Sequence, residues 1–135
     1  VQYGYYDRVV ELIENQPNLA TTPSDDNITL LHWAAINDRI EIARYLLNKG
    51  AKIDAFGGEL VSTPLHWAIR DGKIRMVAFL LSYSAQPSLF DGSGKSSMNI
   101  IFHLTSKKKF LMHRFFIYTS CQYVWSYKYC SILAC

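Results

Sequence analysis

The sequence predicts an all-α fold in which pairs of short helices repeat along the chain and stack as a solenoid. The segment Thr29–Ala35 (TLLHWAA) recurs 34 residues later as Thr63–Ile69 (TPLHWAI). Leu12, Leu46 and Leu80 are separated by the same offset. Self-similarity at such a period is the signature of a repeat architecture, in which neighbouring units bury a shared core.

Each copy is predicted to form two helices. Thr63 can cap the first helix, and Pro64 suits its first position, where a missing N–H costs nothing. The apolar face of this helix comprises Leu65, Ala68 and Ile69. Residues 71–72 (Asp-Gly) then break the chain. The apolar stripe of the second helix comprises Ile74, Val77, Leu80 and Leu81.

These copies set the expected domain organisation. We expect about three repeats within residues 1–94: a partial copy at 1–21, copies at 26–58 and 59–91, and an aborted fourth from residue 92. Asn99 stands in the position of the repeat's histidine, 33 residues after His66. Residues 99–135 show no helical or strand period, so we expect residues 95–135 to be a divergent, basic and aromatic, poorly ordered tail.

Charge is divided unevenly between these two parts. Residues 1–91 carry eight basic and eleven acidic side chains, whereas residues 92–135 carry six basic side chains and no acidic one. The positive charge therefore lies in an aperiodic tail and not on a folded stripe, so we expect no nucleic-acid partner. Residues 110–135 are apolar and aromatic but interrupted by polar residues, which fits a membrane segment weakly and an aggregation-prone tail equally.

The cysteines argue against a metal site or a disulfide in the repeats. Cys121, Cys130 and Cys135 all lie in the tail, without a zinc-ligand spacing. We expect no metal, no cofactor and no obligate oligomer, and a cytoplasmic environment suits the chain. Because the chain begins with Val1 and breaks its own pattern, we expect a piece of a longer protein, its tail being genuine or the product of an altered transcript.

His32 and His66 invite a catalytic or metal-binding interpretation, but a structural one is stronger. Both occupy the same position of the repeat. A ring there can hydrogen-bond between neighbouring turns and tie repeats together. No cysteine or carboxylate accompanies them at ligand spacing.

Two tryptophans and an asparagine are the candidate binding residues. Trp67 lies on the first helix of its repeat, where its indole could hold a proline or aliphatic side chain of a peptide, or could pack between repeats. Trp33 occupies the same position one repeat earlier and is the weaker candidate. Asn37 could pair with an extended peptide backbone or simply end its helix. Asp71 occupies the position equivalent to Asn37 one repeat later.

These motifs resemble one family more closely than a general repeat consensus. The Thr-Pro-Leu-His pattern and the period are similar to those of ankyrin repeats. The stretches TLLHWAAINDRI (29–40), FGG (56–58), STPLHWAI (62–69) and PSL (87–89) resemble the ankyrin domain of the huntingtin-interacting DHHC palmitoyltransferases. The start around Tyr3 also resembles the first repeat of that domain, so Tyr3 joins the candidate peptide-binding residues.

The resemblance implies a function for the chain. In that family a cytosolic ankyrin domain precedes a transmembrane catalytic region and recruits substrates through a short extended peptide that ends in Gln-Pro. The family's key Asn and Trp fall on Asn37 and Trp67. We therefore expect a protein-binding module of a protein-cysteine S-palmitoyltransferase, at the cytosolic face of the Golgi or another endomembrane. The Asp-His-His-Cys motif is absent from this sequence, so this chain alone is not expected to be an enzyme. A general ankyrin scaffold with no link to acyl transfer is the alternative.

Overall fold

A computed structural model describes residues 5–107, with side chains described as far as residue 103. Its six α-helices are α1 (Tyr6–Asn15), α2 (Leu30–Ile36), α3 (Ile40–Asn48), α4 (Pro64–Arg70), α5 (Ile74–Ser82) and α6 (Ser97–Lys107). A 3₁₀ turn, Pro17–Ala20, follows α1. In place of strands, this part of the chain has two isolated β-bridges, Gly57–Ser62 and Phe90–Ser96, which close two hairpins.

The helices form two layers. The inner layer consists of α2, α4 and α6, each packed against the next, and the outer layer consists of α1, α3 and α5 in the same order. Within a repeat, α2 packs on α3 and α4 packs on α5. The predicted solenoid of helix pairs is therefore confirmed.

The inner helices begin in the same way because they share the same local sequence. The Thr29 backbone N–H donates to His32 Nδ1 at 3.1 Å, and the Thr63 backbone N–H donates to His66 Nδ1 at 3.3 Å. The predicted cap is present, since the His66 backbone N–H donates to Thr63 Oγ1. Side chain and backbone thus satisfy each other's free groups at both helix starts.

Left-handed backbone marks equivalent turns in successive repeats. Asp38 (φ 54°) and Gly72 (φ 69°) lie between the two helices of their repeats, 34 positions apart. Gly50 (φ 90°) and Ser84 (φ 69°) follow the outer helices at the same offset. The turns therefore keep the register of the repeat, even where the residue is not the glycine that this conformation favours.

The core follows the predicted apolar faces with one change. Leu65 and Ala68 are completely buried and Ile69 almost so. On α5, Met76 is fully buried although the predicted stripe omits it, whereas Ile74 is only half-buried. A helix packed between an inner partner and a neighbouring outer helix buries more than one stripe, which the periodicity of a single face does not show.

Backbone hydrogen bonds join the loop regions of successive repeats. The Gly58 N–H donates to the Asp26 carbonyl at 2.9 Å, and the Gly92 N–H donates to the Leu60 carbonyl at 2.6 Å. The donors of the two bonds are 34 residues apart in the sequence, and so are the acceptors. A Cβ atom at Gly92 would lie 2.9 Å from the Leu60 carbonyl oxygen, so this close approach requires glycine.

The fourth repeat has a first helix. The Asn99 backbone N–H donates to Ser96 Oγ at 3.2 Å, which caps α6, and Ile100 is 8% exposed within the core. Residues 97–107 therefore form a helix although the sequence shows no clear helical period there. Packing against α4 stabilises a helix whose own amphipathic pattern is weak. Tyr3 and residues 108–135, which include most of the expected tail, lie outside the described residues.

The first helix is joined to the second outer helix partly through polar groups at the surface. Val9 and Ile13 of α1 are buried. Glu14 Oε1 accepts hydrogen bonds from the Tyr45 hydroxyl and from Lys49 Nζ, each at 2.7 Å. The bond from Lys49, followed by that from Tyr45, lowers the pKa of Glu14 below its ordinary value.

Candidate functional site

The two repeat histidines serve the structure. His32 Nε2 lies 2.9 Å from the Ser62 carbonyl oxygen, and His66 Nε2 lies 3.2 Å from the Lys95 carbonyl oxygen. Because a backbone N–H already donates to Nδ1 of each ring, Nε2 carries the proton and donates to the carbonyl. Both rings are completely buried. Burial lowers the pKa of both imidazoles, which are therefore held neutral between repeats.

Trp67 is held between repeats while part of its indole stays exposed. Its ring meets His32 edge-on at a centroid distance of 5.2 Å and meets Trp33 edge-on at 6.1 Å. A Cβ atom at Gly58 would lie 2.8 Å from Trp67 Cζ2. The indole is half-buried. The sequence left open whether Trp67 packs between repeats or is presented at the surface. In the structure this side chain does both.

Asn37 and Trp33 are linked within α2. Asn37 Nδ2 donates to the Trp33 carbonyl at 2.8 Å, which ends the helix. The indole of Trp33 is 36% exposed. Asn37 Oδ1 accepts no hydrogen bond from the described residues. The structure therefore links Asn37 to Trp33 through this hydrogen bond, and Trp33 to Trp67 through their rings.

Asp71 occupies the helix end that is equivalent to that of Asn37 but differs in chemistry. Its backbone N–H donates to the Trp67 carbonyl at 3.1 Å and ends α4. Its exposed carboxylate pairs with Lys73 Nζ at 2.8 Å. A carboxylate has no donor when ionised, so the Asp71 side chain cannot donate to a helix-ending carbonyl as the Asn37 amide does, although it can still accept from an N–H.

A groove runs beside Trp67 between the hairpins and the inner helices. Its first part, the Trp67 end, is lined by Asp26, Ile28, Gly58, Glu59 and Trp67. Its second part, the Lys95 end, is lined by Ser93, Lys95, Asn99, Ile100 and His103. Leu60 and Arg70 line both parts, which are therefore adjacent and are together named the inner groove. The sequence did not indicate Leu60, Arg70 or Lys95, because the repeat motif does not include them and folding brings them together.

A buried carboxylate joins the second hairpin to Arg70, which lines the inner groove. Asp91 accepts hydrogen bonds from the Ser93 N–H (2.9 Å), the Ser93 hydroxyl (2.7 Å) and the Lys95 N–H (2.9 Å). It also accepts from the Arg70 guanidinium, whose other Nη atom donates to Ser62 Oγ at 2.8 Å. Burial by itself would raise the pKa of Asp91, but these hydrogen bonds and the Arg70 charge lower it. The second hairpin is thereby tied to α4.

Residues 5–107 contain neither a candidate metal cluster nor a candidate membrane-spanning helix. Among those residues, no group of three or more His, Cys, Asp and Glu side chains could hold a metal ion. No helix within residues 5–107 has the length and apolar character needed to cross a membrane.

Comparison with known proteins agrees with this geometry. A family model described as ankyrin repeats (3 copies) matches residues 1–91. The chain is 50% identical over 95 residues to palmitoyltransferase ZDHHC17 of Rattus norvegicus and of Homo sapiens, which covers 70% of this chain and 15% of each relative. It is 50% identical over 99 residues to palmitoyltransferase ZDHHC13 of Mus musculus, or 73% of this chain and 16% of that protein.

The region that the family model matches includes helices α1 to α5 and the first hairpin. The matches to the two palmitoyltransferases span less than a fifth of their length. Stacks of this kind present extended surfaces to which other proteins bind. The chain therefore belongs to the ankyrin-repeat family of protein-binding modules.

Proposed function

We propose that this chain recruits substrate proteins to an S-palmitoyltransferase by binding an extended peptide motif that ends in Gln-Pro. The observation that carries the proposal is the position of Trp67, whose half-buried indole is held edge-on by His32 and Trp33 beside the inner groove. A rigid aromatic ring that is already packed loses little conformational freedom on binding. It therefore suits the flat apolar surface of a proline.

Asn37 would hold the part of the motif that precedes the proline. Its Oδ1 accepts no hydrogen bond from the described residues, and it can receive a backbone N–H of the peptide. Through the Trp33 carbonyl, Asn37 is bonded to the residue whose ring contacts Trp67. The peptide would thus run from the second repeat, at Asn37, to the third repeat, at Trp67.

The link to acyl transfer rests on the similarity to palmitoyltransferases ZDHHC17 and ZDHHC13. On this proposal the complete protein is membrane-embedded and transfers an acyl group to cysteine, and the repeats lie at the cytosolic face of the Golgi or another endomembrane. A general ankyrin scaffold is the second candidate. It is favoured by the helix-ending role of Asn37, which needs no ligand to explain it.

Calorimetric titration separates the two candidates. A synthetic peptide ending in Gln-Pro should bind the chain, and the same peptide ending in Gln-Ala should bind much more weakly. Trp67→Ala should lose about 30-fold or more in affinity, as expected for a central aromatic contact worth about 2 kcal/mol. Asn37→Ala should lose about 5- to 150-fold in affinity, as expected when a peptide group worth about 1–3 kcal/mol is left unpaired.

Matched variants keep the result interpretable. Tyr83→Ala and Asn48→Ala remove an aromatic and an amide side chain at the ends of the outer helices, away from the inner groove, and should leave affinity unchanged. Because Trp67 is half-buried, Trp67→Phe serves as a second variant that keeps an aromatic ring in the core, with circular dichroism as the folding check. Equal affinity for the Gln-Pro and Gln-Ala peptides would support the general scaffold instead.

A further inference from the structure

The inner groove carries charge of opposite sign at its two ends. Asp26 and Glu59 line the Trp67 end, and Lys95 lines the Lys95 end. All three side chains are exposed. Within the described residues none of the three forms an ion pair. These charges are therefore available to a ligand that lies along the groove.

The positive charge of Arg70, which lies between the two ends, does not cancel the difference in charge between them. Arg70 lines both parts of the inner groove, but its guanidinium is paired with the buried carboxylate of Asp91. That pair is close to neutral and fixes the hairpin that carries Lys95. Leu60 and Ile100 supply apolar surface along the same path.

The charges are separated along the direction in which the repeats stack. Asp26, Glu59 and Lys95 belong to loops that precede α2, α4 and α6 in turn. Axes of packed neighbouring helices are about 10 Å apart, and an extended peptide rises about 3.3 Å per residue. One repeat therefore corresponds to about three residues of a bound peptide.

We propose that the inner groove selects extended peptides by the order of their charges: a Lys or Arg beside the Gln-Pro pair, and an Asp or Glu about three positions after the proline. This inference deepens the proposed function and rests on it for direction. If the motif runs from Asn37 to Trp67, the residues after the proline reach Lys95 in the fourth repeat. The basic residue meets Glu59 and Asp26, and the acidic residue meets Lys95.

The test uses three peptides with the same Gln-Pro pair. The first has Lys before Gln and Glu at the third position after Pro, the second has these two charges exchanged, and the third has Ser at both positions. The first two have the same composition and net charge, so only order distinguishes them. In low salt the first should bind about tenfold more tightly than the second, with the neutral peptide between them. At 0.5 M NaCl the difference should shrink to about twofold, because exposed charges are screened.

Charge-reversal variants of the protein identify the residues that cause the preference for one order of peptide charges. Lys95→Glu should weaken binding of the first peptide by about threefold or more and strengthen binding of the exchanged one, and Glu59→Lys should do the same from the other end. Lys52→Glu makes the same change of charge at an exposed residue outside the groove lining and should leave the preference intact.

The outcomes separate this inference from the proposed function. If the neutral Gln-Pro peptide binds and the two charged peptides bind equally, the charge selection is wrong while the proposed function stands. If Gln-Pro and Gln-Ala peptides bind alike but charge order still decides affinity, the proposed function fails and the charge selection stands. If no peptide binds, both are overturned.

Discussion

His32 Nε2–H donates to the Ser62 carbonyl at 2.9 Å, so a ring fixed at the start of α2 holds the hairpin of the following repeat. The opposite ring nitrogen accepts the backbone N–H of Thr29 at 3.1 Å. A second proton on the ring would face that N–H donor inside a buried site. Burial and the accepted Thr29 N–H therefore favour the neutral imidazole, although the bond to Ser62 needs only the proton on Nε2.

This preference predicts how stability depends on pH. Burial lowers the pKa of both His32 and His66 below the ordinary 6.5, so the unfolded chain binds more protons than the folded chain just below that pH. The free energy of unfolding should be constant from pH 8 to about 6.5 and should fall as the pH drops further. Urea unfolding followed by circular dichroism measures it.

A double variant, His32→Gln with His66→Gln, is the control for the pH effect. It should be less stable at pH 8, and the pH dependence between 6.5 and 5 should be largely lost. A wild-type stability that does not change from pH 8 to pH 5 would contradict the neutral-ring links.

Removing the buried carboxylate should destabilise the second hairpin and its contact with α4. Asp91→Ala leaves Arg70 without its ionic partner and the Ser93 and Lys95 N–H groups without an acceptor. We expect a loss of about 3 kcal/mol in the free energy of unfolding, the usual effect of breaking such a pair. Asp71→Ala, which removes an exposed carboxylate, should cost less than about 1 kcal/mol. Equal losses in urea unfolding would refute the role given to Asp91.

The fourth repeat's helix can be tested with two neighbouring side chains. Ile100 is 8% exposed, whereas Phe102 is 71% exposed. Ile100→Ala should lower the free energy of unfolding by about 2 kcal/mol because it leaves a cavity against the stack. Phe102→Ala should change it by no more than about 0.5 kcal/mol. Similar urea midpoints for Ile100→Ala and the wild-type chain would show that α6 does not contribute to the core.

Alanine substitutions at two glycines of similar backbone conformation distinguish the effect of backbone strain from the effect of displacing the Trp67 ring. Gly58 (φ 75°) and Gly72 (φ 69°) both disfavour a side chain, so alanine at either should cost about 1 kcal/mol of stability. Only at Gly58 would the new Cβ meet the Trp67 ring, since nothing lies within 4 Å at Gly72. Gly58→Ala should therefore shift the tryptophan fluorescence and weaken binding of the Gln-Pro peptide. Gly72→Ala should do neither, and equal effects would show that the indole does not depend on Gly58.

Much of the fold was predictable because each repeat encodes its own helix starts. Thr63 and His66 specify the capping box locally, and the same residues recur at Thr29 and His32. The helix α6 was not predictable in this way. Ser96 and Asn99 replace the Thr and His, and the apolar pattern around Ile100 is weak, so the helix depends on contact with α4. Such tertiary stabilisation leaves little trace in local periodicity.

The candidate site was predictable only where the repeat motif carries it. Trp33, Asn37 and Trp67 lie at fixed positions of the repeat, so the contacts of Trp33 with Asn37 and with Trp67 follow from the register. Leu60 and Lys95 lie on hairpins, and what places them in the groove is the bonding of one loop to the next. Nothing in the sequence around either residue signals those long-range bonds.

Glu14 of α1 accepts hydrogen bonds from Tyr45 and Lys49 of the second repeat. Because of this polar contact, the two ends of the stack should respond differently to ionic strength. These groups lie at the surface, where added salt screens the attraction between carboxylate and ammonium. The histidine links and the Asp91 cluster are buried, where salt has little access. Salt therefore loosens the attachment of α1 while leaving the third and fourth repeats unchanged. In hydrogen exchange, the α1 amides would become less protected as salt is added, and the amides of α4 would not.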